Sequence, residues 1–251
     1  MLEQVSRHYG ALHQHSIAVD FVQPHAELSG YKVVLVPNLY MVGQGVAENL
    51  DRFVSDGGRL VMSFFSGMVD SSDHILLGGY PAPFRRLLGI RVEEFDPYAP
   101  GQTNEIVTAE GARVPCDTWS DVIDLEGAES IATFAHDFYA GRPAITQHAY
   151  GSGRAYYLGT NPSESYLASL LTQICGEAGV RAPIDVPAGV EAVCRTSGSD
   201  NFLFLLNHQA DSATVHVEFE AEDMLTGAHH ADSVTLSPYG VAILRQPDRE
   251  G

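Results

Sequence analysis

Lys32-Val33-Val34-Leu35-Val36-Pro37 and Arg59-Leu60-Val61-Met62-Ser63-Phe64-Phe65, with Gly57-Gly58 just before the second run, decide the fold class of this chain. Both runs are apolar without alternation, the pattern of strands covered on both faces in a parallel sheet. Between them Val46, Leu50, Phe53 and Val54 recur at three- and four-residue steps, which predicts a helix over 44–56 stopped by the two glycines. Working outward, Leu2, Val5, Tyr9 and Leu12 predict an amphipathic helix over 3–15, and residues 17–22 read as a short strand. Helix and strand alternate, so the expected architecture is α/β, a doubly wound, flavodoxin-like sheet.

Further along, residues 81–88 read as a short helix and 89–94 as a strand. Residues 144–150 and 154–159 flank Gly151-Ser152-Gly153 and read as a hairpin. A phosphate loop would need a helix directly after those glycines, and a strand follows instead. Residues 163–178 form a helix in this reading, with Ser163 as its cap, Leu167, Leu170, Leu171 and Ile174 as its stripe, and Gly179 past its end. After Arg181-Ala182-Pro183 the period becomes two. Strands are expected over 190–195, 201–207, 213–219, 233–236 and 240–245, with turns at 197–200 and 225–227. The chain therefore divides into an α/β domain over 1–182 and a small antiparallel β-sandwich over 183–251. It contains no internal repeats.

At 251 residues, 45 % hydrophobic and 18 % charged, the chain has the composition of a soluble globular protein. Acidic residues outnumber basic ones 32 to 14, for a net charge of −18. Nucleic acid and anionic membrane both require a positive patch, so neither is an expected partner. Cys116, Cys175 and Cys194 lie far apart and read as buried free thiols. The opening residues are too polar for a signal peptide, and no run of 18 apolar residues occurs. A reducing, cytoplasmic home is therefore expected.

Few constellations offer chemistry. Ser66 follows the third strand where a nucleophile could sit, but Phe64-Phe65-Ser66-Gly67-Met68 lacks the glycine-flanked elbow that such a nucleophile requires. His74, His136 and His148 are the bases that a serine there would need. His8, His13 and His15 cannot share one helix face, and the adjacent pair His229-His230 points two ways from an expected loop. No metal or cofactor is expected. Phe64, Phe65, Met68, Ile75, Leu76, Leu77, Tyr80, Phe84 and Trp119 load a loop-rich region with large apolar groups, which is either core beneath a loop or a subunit interface.

Several of these motifs, in order, resemble family 42 β-galactosidases over essentially the whole chain. Residues 57–97 resemble the region after that family's catalytic barrel. Val19-Asp20-Phe21-Val22 through Val36-Pro37 resemble the entry into its trimerisation domain. Residues 150–160 resemble its late strand pair. Phe202-Leu203-Phe204-Leu205-Leu206-Asn207-His208 and Leu236-Ser237-Pro238-Tyr239-Gly240-Val241-Ala242 resemble its small C-terminal β-domain.

The resemblance implies a non-catalytic assembly region that forms a homotrimer. The parent enzymes are retaining glycosidases that hydrolyse terminal β-D-galactosides. It also tips the aromatic cluster towards an interface, making Phe64, Phe65, Ser66, Met68, Tyr80, Phe84 and Trp119 the candidate interface or substrate-rim residues. In that family both catalytic carboxylates are glutamates on a (β/α)8 barrel, and one follows an asparagine. Asn104-Glu105 matches the dipeptide but reads as a solvated loop glutamate, and a barrel alone takes roughly 200–250 residues. No catalytic residue transfers, and the chain alone is expected to be inactive. The alternatives are an amidotransferase-like hydrolase using Ser66 or Cys116, and a carbohydrate-binding module with Trp119 and the tyrosines as stacking platforms.

Overall fold

The computed structural model describes residues 2–246. They fall into two units, one of residues up to 8 together with 21–179, the other of 9–20 and 180 onward. Helix α1 (Leu2–His13) contributes residues to both. The second unit thus takes up a segment that lies within the first domain in the sequence reading. Ser16 ties it there, accepting a hydrogen bond from Ala192 N at 3.1 Å.

In the first unit the order is β1 (Val33–Val36), β2 (Met41–Val42), α2 (Val46–Ser55), β3 (Arg59–Ser63), β4 (Val69–Asp70), α3 (Arg85–Leu88), β5 (Ile90–Pro97) and β6 (Thr103–Thr108). Then come β7 (Arg113–Leu125), β8 (Glu129–Phe134), β9 (Pro143–Tyr150), β10 (Gly153–Leu158), β11 (Thr160–Pro162) and α4 (Glu164–Glu177). The main sheet runs β1-β3-β10-β9-β8-β6-β7-β11, with β5 also paired to β7. The two apolar runs pair in parallel, Val34 opposite Leu60 and Val36 opposite Met62, and β10 joins β3 in parallel on its other side. Leu60, Val61 and Met62 are fully buried, as the absence of alternation requires. Leu60, Met62, Ala155 and Tyr157 pack in one core with Leu50, Phe53 and Val54 of α2 and Leu87 and Leu88 of α3. Tyr156 faces the other way and donates its hydroxyl to Glu177 of α4 at 3.1 Å. Helices therefore lie on both faces of the parallel part.

Beyond β10 the sheet is antiparallel, so the expected parallel pairing is limited to β1, β3 and β10 within a mixed nine-stranded sheet. The two-residue turn Gly151-Ser152 makes β9 the antiparallel neighbour of β10, because so short a connection joins only antiparallel strands. The expected strand over 17–22 does not form. Ile17 N closes the end of α1 on Leu12 O at 3.1 Å instead, and Phe21 and Val22 are exposed. Ser163 does precede α4, but its hydroxyl makes no capping bond to the helix backbone.

The second unit contains β12 (Val190–Ser197), β13 (Asp200–Asn207), β14 (Ala213–His216), β15 (Ala221–Asp223), β16 (His229–His230), β17 (Ser233–Leu236) and β18 (Val241–Gln246). A five-stranded antiparallel sheet, β12-β13-β18-β15-β16, and the β14–β17 pair enclose one core. Alternate residues Leu203 and Leu205 face Val215 and Val234 in it. His229-His230 forms a short strand opposite Glu222 and Ala221 rather than the expected loop. Cys194 is exposed, contrary to expectation, because the far half of β12 extends past the core.

Candidate functional site

The carboxyl ends of parallel strands are where open α/β sheets present their functional loops. Here the loops that follow β1 and β3 meet. Asn38, just past β1, has a left-handed backbone (φ 51). Its N–H donates to Ser63 Oγ at 2.9 Å and its side-chain amide to Phe64 O at 2.8 Å. Leu39 N donates to Ser66 Oγ at 2.9 Å, and Ser66 Oγ donates to Ser63 O at 2.8 Å. Phe65 is also left-handed (φ 59), a conformation costly for a residue with a bulky side chain. Gly67 follows at φ 77, where an added Cβ would come within 3.0 Å of the Phe84 ring.

Trp119 arrives from β7. Thr160 pairs with Ser120 but Asn161 with Asp117, so Thr118 and Trp119 form a bulge, with Thr118 at φ 68. The bulge turns the indole onto Phe64 (ring centroids 6.1 Å apart), Phe65 (5.2 Å) and Phe95 (5.5 Å). Tyr40 stacks on Phe65 at 5.2 Å, and Tyr80 meets Phe95 edge-on at 5.0 Å.

A buried polar chain underlies this cluster. Trp119 Nε1 donates to Asp121 Oδ1 at 2.7 Å, and Tyr157 OH donates to Asp121 Oδ2 at 2.6 Å. Tyr80 OH lies 3.1 Å from Tyr157 OH and accepts Ser66 N at 3.0 Å. Burial pushes the Asp121 carboxyl up to about 7, against the two hydrogen bonds, which favour its charged form. Burial likewise raises both tyrosines well above their ordinary value, with the Asp121 charge adding to it.

Of the seven candidate residues, Phe64, Ser66 and Phe84 are buried, while Phe65, Met68, Tyr80 and Trp119 are partly exposed. Ser66 is no nucleophile. Its hydroxyl hydrogen is committed to Ser63 O, and the proposed bases are engaged elsewhere, His148 on Leu87 O, His136 on Glu105 and His74 on Asp70. Burial raises Cys116 to about 11, so it holds its proton at neutral pH. Trp119 has aromatic neighbours rather than a free face, which disfavours a sugar-stacking platform.

Asn104-Glu105 sits on β6, not in the expected loop, with Asn104 buried. Hydrogen bonds from Arg113 and then His136 hold Glu105 below the usual carboxylate range, the opposite of what a general acid needs. Sequence reasoning missed Asp121, Tyr157 and Asn38. A signal for Asp121 existed, since Asp121-Val122-Ile123 places a carboxylate in an apolar strand run.

The first unit thus carries a hydrogen-bonded aromatic scaffold at the ends of its parallel strands, and the second is an antiparallel β-domain with its own core. Residues 1–181 match the family described as the β-galactosidase trimerisation domain, and residues 189–246 the β-galactosidase C-terminal domain. The chain belongs to the glycoside hydrolase family 42 β-galactosidases and corresponds to their C-terminal portion. It is 42 % identical over 250 residues to the β-galactosidase BgaB of a Geobacillus species, covering 98 % of this chain and 37 % of that one. The β-galactosidase LacZ of Heyndrickxia coagulans is 41 % identical over 244 residues, with 97 % and 36 % covered. The crystal structure of β-galactosidase from Bacillus circulans sp. alkalophilus superposes with a TM-score of 0.95 at 36 % identity, covering 98 % of this chain and 37 % of that one. The chain thus spans little more than a third of the length of these relatives.

Proposed function

We propose that this chain carries the assembly function of a β-galactosidase, self-associating as a homotrimer through residues 1–182, with 183–251 as a separate β-domain. The observation that carries the proposal is the loop leading away from the aromatic cluster, where Ile75 and Leu77 are 78 % and 91 % exposed. Aromatic residues and methionine are enriched at interfaces, and Phe65, Met68, Tyr80 and Trp119 supply such a surface beside that loop. Phe64, Ser66 and Phe84 support it from beneath. The same loop is proposed as a substrate rim in an assembled enzyme.

Hydrolysis of terminal β-D-galactosides is assigned only to these residues joined to a (β/α)8 barrel, and none occurs among the described residues. β1, β3 and β10, with α2 and α4, are read as a flavodoxin-like core of the class I glutamine-amidotransferase type, extended by antiparallel strands. A cytoplasmic home is supported by three unpaired cysteines. No helix among the described residues is long and apolar enough to cross a membrane. Light scattering tests assembly directly. A mass about three times 27.1 kDa is expected, and a monomer at micromolar concentration would refute it.

A further inference from the structure

Within the second unit, three metal-ligating side chains from distant parts of the sequence converge. His13 ends α1, Glu191 lies on β12, and His208 directly follows β13. Glu191 Oε2 is 2.9 Å from His208 Nε2 and 3.3 Å from His13 Nε2. One donor atom from each of the three lies within 4.8 Å of the other two. We propose that His13, Glu191 and His208 bind a divalent transition-metal cation, with Zn2+ the best-fitting ion.

The donor set supports that class. Two imidazole nitrogens and one carboxylate oxygen suit Zn2+ and its first-row neighbours, whereas Mg2+ and Ca2+ prefer all-oxygen shells. Bonds of about 2.0–2.1 Å in a tetrahedral shell set donors roughly 3.4 Å apart, so the two shorter separations need little adjustment. The side chains of His13, Glu191 and His208 are 35 %, 22 % and 52 % exposed, leaving a solvent side for a water as fourth ligand.

The backbone holds the three in place. His208 N donates to Gly189 O at 2.9 Å, and Ser16 Oγ holds Ala192 N beside Glu191. Gly189 is left-handed (φ 80) and packs so closely under Gln209 that a Cβ there would lie 1.8 Å from Gln209 Nε2. The Tyr9 ring lies 5.3 Å from the His13 ring, one turn back along the helix. A cation here would cross-link residue 13 to β12 and to the end of β13, closing a long chain loop. It would also neutralise part of a strongly acidic protein.

Calorimetric titration of the whole chain with ZnCl2 tests the proposal. One saturable cation per chain is expected, together with a rise in melting temperature that EDTA reverses. His208→Ala and Glu191→Gln should each weaken binding by about 100-fold, as ligand loss exceeds the 10–100-fold typical of outer-shell changes. His229→Ala, in the same unit but outside the cluster, should leave it unchanged. Co2+ in place of Zn2+ should give visible ligand-field bands from wild-type protein, a readout that needs no variant to fold. Absence of saturable uptake up to about 0.1 mM, or wild-type affinity in His208→Ala, would overturn the site.

Discussion

Tyr157 donates its phenolic hydrogen to Asp121 at 2.6 Å, with both residues completely buried. Through Tyr157, Tyr80 and the Ser66 N–H, this carboxylate on β7 fixes the loop that follows β3. One buried acid thereby determines the shape of the surface assigned to assembly.

The proton on Asp121 makes stability depend on pH in a definite direction. Its ordinary value is 3.8, and burial, opposed by Tyr157 and Trp119, brings it to about 7 in the folded protein. The folded state therefore keeps a proton that the unfolded chain releases between those values. Its contribution is fully present below about 3.8 and is lost as pH rises through about 7, by at most on the order of 4 kcal/mol. Urea unfolding at a series of pH values should show this slope in wild type and a flattened one in Asp121→Asn.

Removing the carboxylate altogether leaves Tyr157 OH and Trp119 Nε1 without their acceptor. Asp121→Ala should destabilise the protein by roughly 2–4 kcal/mol, since stranded buried donors cost about 1–3 kcal/mol each. Relief of the burial cost of the charge offsets part of that above pH 7. An unchanged denaturation midpoint at pH 6 would count against this account of the network.

The left-handed backbone at Phe65 gives an inverted ranking of substitutions. Phe65→Ala loses the contacts with Tyr40 and Trp119 and keeps the strained φ, whereas Phe65→Gly loses the contacts and relieves the strain. Glycine should therefore be the more stable replacement by about 1 kcal/mol, opposite to its usual order in regular structure. Chemical denaturation of the two variants measures the difference.

Charge placed on the exposed loop should separate assembly from folding. Leu77 is 91 % exposed, so Leu77→Asp should change chain stability by no more than about 0.5 kcal/mol. It should nevertheless lower the mass seen by light scattering towards that of one chain. A variant of unchanged mass would place the interface elsewhere.

The three thiols should react in an order set by exposure. Cys194 is exposed and should titrate with a disulfide reagent in the native state, whereas burial pushes Cys116 and Cys175 each up to about 11. The latter two should react only on unfolding. Fast modification of native Cys116 would restore it as a candidate nucleophile.

Most of the α/β framework was legible because burial on both faces leaves an unmistakable pattern. Val33–Val36, Arg59–Ser63 and the stripe of α4 announce themselves by apolar runs or helical spacing. The antiparallel half was less legible. Arg113–Leu125 interleaves Pro115, Asp117 and Ser120 with apolar residues and carries a bulge, so period-two counting fails across it. Residues 17–22 have strand-like composition, yet no strand pairs with them, and β propensity alone makes no strand. The buried chain from Trp119 to Ser66 draws on residues from four separate segments. The His13, Glu191 and His208 cluster joins the two ends of the chain. Neither is visible without the fold, because spacing encodes only local neighbours.

Strand β3 has one neighbour, β1, only a short helix away in sequence, but its other neighbour is β10, which ends at Leu158. A ribosome making this chain therefore releases an apolar strand with one open edge and must add nearly a hundred residues before that edge is covered. An N-terminal fragment ending before β10 should aggregate rather than fold.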